Sequence, residues 1–411
     1  MILFFLISGL FLGWSLGAND ASNVFGSAVG SKLVTFKKAA IIASVAVILG
    51  AVIQGAGTSD TLGNLGAVNA IGGSFTLAFS AAITMYVMTK FSLPVSTTQA
   101  IVGAIVGWNI FTGNPTDSGT LTKIVATWIS GPVLGAFFAI LLYIFITWFK
   151  HKAKIHLIRF ESLIKTGLLL VGAFGAYSLG ANNIANVMGV FVPAFHLQDL
   201  NLGLFTLSSA QQLFLLGGLA IALGIITYSR KVMETVGGNL LELTSEAAMV
   251  VVLAQSLVLF IFSSSGLSNF FVRMGLPAIP MVPVSSSQVI VGCVIGIGIY
   301  KGVNNINFKL LGEIAIGWLS TPLISGILAF LLLFFIKNIF NIDVGYKITE
   351  ETVQLQNMEI ATDVALSGLF RYMLLGIVIT GTCAIIYFYL LERKKKKELR
   401  LSEEKFWKNL K

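Results

Sequence analysis

Charge is scarce in this sequence. Of 411 residues only 11% are Asp, Glu, Lys or Arg, against about 25% in soluble domains, and the mean hydropathy is +0.88. That excludes an ordinary soluble domain and predicts a polytopic membrane protein. Cysteine is scarcer still. Cys293 and Cys383 both lie in apolar runs, which excludes a disulfide framework and Cys-based metal spacing. His151, His156 and His196 are scattered through connections, and no His or Cys stands beside a Ser in a motif. An intramembrane hydrolase therefore lacks its parts, and neither enzymatic activity nor a resident cofactor is expected. The net charge of +9 does not point to nucleic acid, because nine of the 27 Lys and Arg residues lie in the tail from Arg393 onward. Such a tail reads as a topology anchor against anionic membrane lipid.

What is abundant is long apolar sequence, and a span needs about 20 such residues. Segments of this kind fall at 1–30, 41–57, 74–89, 91–112 and 124–149, then at 166–190, 211–229, 247–272, 275–300 and 314–336, with an unpaired span at 372–391. The first 16 residues lack the basic start of a signal peptide and are kept as part of a span. With the N-terminus outside and the C-terminus cytoplasmic, 22 of the 27 cations fall inside, as the positive-inside rule favours. The expected location is the cell (inner) membrane.

The chain is also written twice. SLGANDASNVFG from Ser15 recurs as SLGANNIANVMG from Ser178, and FSLPVSTTQAIVGAIVG from Phe91 recurs as MVPVSSSQVIVGCVIG from Met281. ATWISGP, ending at Pro132, recurs as IGWLSTP, ending at Pro322, and SDTLG around Asp60 resembles METVG around Glu234. Five crossings is an odd number, so the second copy enters the membrane from the opposite face, an inverted repeat that usually places its sites near the midplane. The expected architecture is all-helical, with about 11–12 transmembrane segments, broken helices and two inverted five-span repeats. These comprise a first repeat at 1–149, a basic cytoplasmic linker at 150–165 and a second repeat at 166–336. An extracytoplasmic connection at 337–371, a last span at 372–391 and a basic cytoplasmic tail at 392–411 follow.

Carboxamide and carboxylate groups at membrane depth are costly and need partners. In the two GAN motifs they are Asn19, Asp20 and Asn23, then Asn182, Asn183 and Asn186. Their oxygens suit a hard cation, and the flanking glycines are expected to let the backbone leave helical geometry there. The alternative is that the asparagines only bond between helices and the glycines only permit close packing.

Residues 99–112 are too few to span alone at about 1.5 Å per residue, so a helix starting at Gln99 begins inside the membrane after an unwound Pro94–Thr98. Its hydroxyls and free N–H groups form an anion site. Ser285, Ser286, Ser287 and Gln288 build the same device in the second copy, and two facing termini would grip a tetrahedral oxyanion. No Lys or Arg lies in these motif cores, so an anion there needs a co-bound cation. That points to symport. Asp60 and Glu234 read equally as a relay or gate and as helix caps or solvated groups. The GxxxG spacing of Gly9, Gly13 and Gly17 permits close contact within a subunit or in a homodimer.

Over about residues 8–336 the chain resembles the inorganic phosphate transporter (PiT) family of phosphate:cation symporters. The resemblance rests on GANDASN, GANNIAN, the two P-V-[ST]-[ST]-[ST]-Q segments and SRKVMETVG. It implies phosphate and cation sites built from Asp20, Asn23, Asn183, Asn186 and the hydroxyl triplets. The combined expectation is import of phosphate with Na+, or H+ in its place, by alternating access. Asp20, Asn23, Asn183 and Asn186 take the cation, and Ser96, Thr97, Thr98, Gln99, Ser285, Ser286, Ser287 and Gln288, with Asn19 and Asn182, take phosphate. Asp60 and Glu234 remain candidates for coupling or gating. Asn183 stands where the first copy has Asp20, so the halves contribute unequal charge. The rivals are a symporter of sulfate or another tetrahedral oxyanion and, in another class, an anion channel.

Overall fold

The computed structural model describes residues 2–66, 68–90, 95–153, 156–195, 197–201, 203, 206–230, 232–233, 244–302, 308–345 and 376. Twelve helices are described. The first half holds α1 (Ile2–Gly30), α2 (Phe36–Gln54), α3 (Ala56–Gly66), α4 (Ile71–Lys90), α5 (Thr97–Thr112) and α6 (Ser118–Ala153). The second holds α7 (Leu157–Met188), α8 (Ser209–Thr227), α9 (Ser245–Ser263), α10 (Ser265–Arg273), α11 (Ser286–Lys301) and α12 (Phe308–Phe340). A 3-10 turn, Val192–Ala194, and a two-strand ribbon in which Leu200 pairs antiparallel with Leu207 join α7 to α8. Among the described residues α2, α4, α6, α7, α8, α9 and α12 are long and apolar enough to cross a membrane.

Equivalent helices of the two halves lie side by side in opposite directions. Gly9 of α1 lies against Val187 of α7 while Gly172 of α7 lies against Phe25 of α1, so the pair is antiparallel. In the same way Ser44 of α2 bonds the Ala222 carbonyl of α8, and Gly218 meets Ile48. Two further helix pairs pack across the halves. Gly103 and Gly107 of α5 run along Pro322 and Gly326 of α12, and Gly292 and Gly296 of α11 run along Pro132 and Ala136 of α6. The far faces of α6 and α12 are apolar and exposed, Ile129 and Leu319 each at 71%, as suits lipid contact.

Several expectations are corrected. The backbone does not leave helical geometry at the GAN motifs: α1 and α7 run through them unbroken. The glycines serve close packing instead. A Cβ on Gly17 would sit 2.0 Å from the Ile221 carbonyl oxygen of α8, and one on Gly180 would sit 2.1 Å from that of Val47 in α2. Gly9, Gly13 and Gly17 are all used within the chain, against α7 and α8. The segment 275–300 is helical only from Ser286, because Pro277, Pro280 and Pro283 each lack the N–H a helix needs and hold the preceding residue extended. The segment 41–57 divides at Gly55, which is pressed against Ile184 of α7, and α3 follows as a separate helix. The segment 247–272 divides at Ser264, whose hydroxyl caps the Leu267 N–H of α10.

The linker 150–165 is largely helical, since α6 continues to Ala153 and α7 starts at Leu157. His151 therefore lies in the last turn of α6, and His156 at the N-cap of α7. Asp117 begins α6 by accepting from the N–H groups of Gly119 and Thr120 and from the Thr120 hydroxyl. These bonds hold its carboxyl below the usual carboxylate range. Pro94, His196, Glu234, Cys383, the last span and the tail lie outside the described residues.

Candidate functional site

Both hydroxyl triplets open a helix. Ser96 is the N-cap of α5 and accepts from the Gln99 N–H at 3.3 Å; Ser285 is the N-cap of α11 and accepts from the Gln288 N–H at 3.3 Å. The helices therefore start at Thr97 and Ser286, in the first half two residues before the expected Gln99. Ser and Thr at these positions spend one oxygen on the cap and leave the first-turn N–H groups pointing outward at the positive end of the helix dipole. All eight residues from Ser96 to Gln99 and from Ser285 to Gln288 are buried.

The GAN motifs meet these termini crosswise. Ser286, at the start of α11, donates to Asp20 Oδ2 of α1 at 2.8 Å, and Asn19 Nδ2 donates to Asp20 Oδ1 at 3.3 Å. On the other side Asn186 Nδ2 of α7 donates to Thr98 Oγ1 of α5 at 2.9 Å, and to Asn183 Oδ1 at 3.0 Å. Each half thus binds its asparagine motif to the hydroxyl triplet of the other half. Asp20 is only 2% exposed, a buried carboxylate held, among the described residues, by neutral donors alone.

Much of the remaining polarity is unspent. Among the described residues, Thr97 Oγ1 and Asn183 Nδ2 are buried without a hydrogen-bond partner, as are the carbonyl oxygens of Gln99, Gln288 and Asn186. A buried donor or acceptor left unsatisfied costs about 1–3 kcal/mol, and these five lie on α5, α7 and α11. The set divides by chemistry. Hydroxyl and amide N–H groups suit an anion, and amide oxygens suit a cation. Asn183 belongs with the donors here, because its oxygen already accepts from Asn182 and Asn186.

Not every expected residue converges. Asn182 has its amide committed, with Nδ2 donating to the Val284 carbonyl at 2.7 Å and Oδ1 accepting from the Val284 N–H at 2.9 Å. Asn23 is half-buried on α1. The Ser287 hydroxyl lies 3.2 Å from that of Ser285. Asp60 is exposed on α3, and among the described residues no hydrogen bond or ion pair links it to Asp20. Its neighbours on α3 do reach the site's supports. Thr58 donates to the Ala181 carbonyl at 3.1 Å, and the Thr61 hydroxyl to that of Met281.

Two features escaped the sequence reading. Gln255 on α9 is 1% exposed with both amide atoms unpartnered, on a helix packed against α1, α7 and α11. It belongs to no repeated motif, and its only signal is a carboxamide within the apolar run Ala247–Ser263. The second is a cavity of about 440 Å³ that reaches Asn19, walled by Trp14, Ser15, Met85, Tyr86 and Tyr228. It has no signature in sequence at all, being formed by residues of α1 and α4 with Tyr228, the residue just after α8.

Comparison with known proteins bears on this geometry. The sequence model of the phosphate transporter family matches residues 16–269 and 275–408. A candidate phosphate permease of Thermococcus kodakarensis is 28% identical, over 80% of this chain and 96% of its own length. Another, of Haemophilus influenzae, is 26% identical over 82% and 96%. Among solved structures, one titled as the sodium-dependent phosphate transporter superposes with a TM-score of 0.64 at 22% identity, covering 82% of this chain and 99% of that one.

Proposed function

The chain belongs to the phosphate transporter family, and from that premise we propose that it imports inorganic phosphate by symport with a cation, Na+ before H+, through alternating access. The observation that carries the reading is the 2.8 Å bond from Ser286 to Asp20. It brings the one carboxylate of the two GAN motifs into contact with the start of a helix suited to bind an anion. Phosphate takes the hydroxyl and N–H donors at the starts of α5 and α11, with Thr97 and Asn183 supplying donors that have no other use. The cation takes oxygens from Asp20, Asn23 and Asn186, and from Gln99 or Gln288.

The electrostatics require the pair. An anion held by neutral donors in a dry site is poorly compensated, and carrying one charge into a negative cell costs roughly 2.3 kcal/mol per 100 mV. A cation bound beside Asp20 offsets both terms. Alternating access is supported by the antiparallel pairing of α1 with α7 and of α2 with α8, the arrangement of inverted repeats that can exchange roles. The sodium named for the superposed structure favours Na+ here.

The test is uptake of radiolabelled phosphate into proteoliposomes with Na+ and pH gradients imposed separately. Saturable accumulation against a phosphate gradient, driven by the Na+ gradient, is expected. Uptake that follows only the phosphate gradient would turn the reading toward a channel. Equal competition by sulfate would move the substrate, because phosphate can donate a proton to a remaining lone pair of a carboxylate and sulfate cannot.

A further inference from the structure

Asn19 and Asn182 occupy the same place in the repeated motif, yet they do different things. Asn182 is fully buried and holds both backbone groups of Val284, the residue just before the N-cap of α11. An amide that bonds the N–H and the C=O of one residue acts as a short strand pair would, and fixes the extended chain against α7. The Thr61 hydroxyl holds the same extended segment at Met281. On this side the segment leading to α11 is thus held at both Met281 and Val284.

Asn19 has no such hold. Its amide donates to Asp20 at 3.3 Å, it is half-buried, and it borders the cavity of about 440 Å³ that ends at Tyr228 and Tyr86. The repeat pairs Val95 with Val284, so Val95 is the residue an equivalent hold would take. Both backbone groups of Val284 are bonded by a side chain of the GAN motif, and among the described residues no GAN side chain bonds either group of Val95.

We propose that Asn182 and Asn19 are alternating clamps rather than phosphate ligands. Asn182 closes the Met281 side by gripping Val284 in the state seen here. In the opposite state Asn182 lets go, and Asn19 grips the N–H and C=O of Val95, closing the Tyr228 cavity. Each asparagine is a positioning residue that acts on phosphate through the start of α11 or α5. The inference rests on the transport reading, but the clamp itself can be examined without phosphate.

The experiment uses the full-length protein, purified, with Cys293→Ala and Cys383→Ala and one reporter at a time, Tyr228→Cys or Met281→Cys. Labelling by a hydrophilic maleimide is followed with and without phosphate and Na+. Without ligand, the Tyr228 reporter should react faster than the Met281 reporter. Asn182→Ala should raise the Met281 rate roughly tenfold, the scale expected when two backbone hydrogen bonds are lost. Asn19→Ala breaks no backbone hold in the present state, so the protein should fold and leave the Tyr228 reporter reactive. It should abolish the protection of that reporter by phosphate with Na+, while phosphate affinity by calorimetry falls only by the factor by which closure had strengthened it. The clamp is overturned if both variants leave labelling unchanged, or if Asn19→Ala weakens phosphate binding tenfold or more with protection intact, which would make it a ligand. If the unsubstituted reporters bind no phosphate, the transport reading fails, and the ligand-free labelling of Asn182→Ala still decides the clamp.

Discussion

The first and second GAN motifs differ at few positions, and the surroundings they build differ in kind. Around Asn183 and Asn186 the amides form a continuous buried network that ends on Thr98. Around Asp20 the contacts are fewer, a carboxylate bonded to Ser286 with a half-buried Asn19 and an open cavity beside it. Charge and access thus lie with the first copy, neutrality and closure with the second. A duplicated sequence has produced two different surroundings, one in which Asn182 holds the backbone of Val284 and one in which Asn19 bonds only Asp20 among the described residues.

The strongest way to probe the shared part of the comparison is to attack both motifs at the same glycine. Gly17→Ala and Gly180→Ala each place a methyl 2.0–2.1 Å from a backbone carbonyl oxygen of a neighbouring helix, a contact no rotamer relieves. Loss of the monodisperse folded protein in size-exclusion chromatography is expected for both. A well-folded Gly180→Ala beside an unfolded Gly17→Ala would show that the equivalent crossings are not equally tight.

Asp20→Asn sharpens the difference between the copies, since it turns GANDASN into GANNASN and keeps the side-chain volume. The fold should survive, cation affinity should fall most, and uphill phosphate uptake should cease. By linkage a cation that favours phosphate is favoured by phosphate equally, so calorimetry with and without Na+ should show phosphate binding losing its Na+ dependence. Uphill transport with the original dependence would move coupling to Asp60 or Glu234.

A smaller asymmetry is expected at the hydroxyls. Thr98→Ala removes an acceptor of the Asn186 amide, and Ser287→Ala removes only a hydroxyl that faces Ser285. Losing a hydrogen bond to a charged ligand costs about 1.5–3 kcal/mol, roughly a tenfold to hundredfold weaker phosphate binding. Thr98→Ala should lie at the upper end because it also removes one of the two acceptors of the Asn186 amide. Unchanged binding in both single variants and in the double variant would reduce the triplets to caps.

Sequence reading reached a definite depth in this protein. The repeats, the capped starts of α5 and α11 and the polar clusters were legible because each is local: a Pro, three hydroxyls and a Gln encode a helix start within six residues. What was not legible is pairing across distance. Nothing in GANDASN says that its aspartate bonds a serine 266 residues later, or that Asn182 turns to a backbone while Asn19 does not. The glycines misled for a related reason. Gly17 and Gly180 permit either an unwound backbone or a close helix crossing, and only the Ile221 and Val47 carbonyls facing them decide for the crossing.

The smallest expected effect concerns the caps, where the halves are most alike. Ser96 and Ser285 accept from Gln99 and Gln288 at the same 3.3 Å, in extended backbone. Replacing an N-cap serine by alanine typically costs about 0.5–2 kcal/mol, and both sites are buried, so water cannot take over the freed N–H. Ser96→Ala and Ser285→Ala should therefore lower thermal stability by similar amounts, read as a shift in the melting transition of the purified protein. Ser285→Ala should lose slightly more, because the Ser285 hydroxyl also meets that of Ser287 at 3.2 Å. Addition of phosphate with Na+ should restore part of the loss in both, since the ligand would bond the N–H groups the cap releases. Restoration in one variant alone would mean that only one of the two helix starts touches phosphate, and the crosswise site would have to be redrawn around that half.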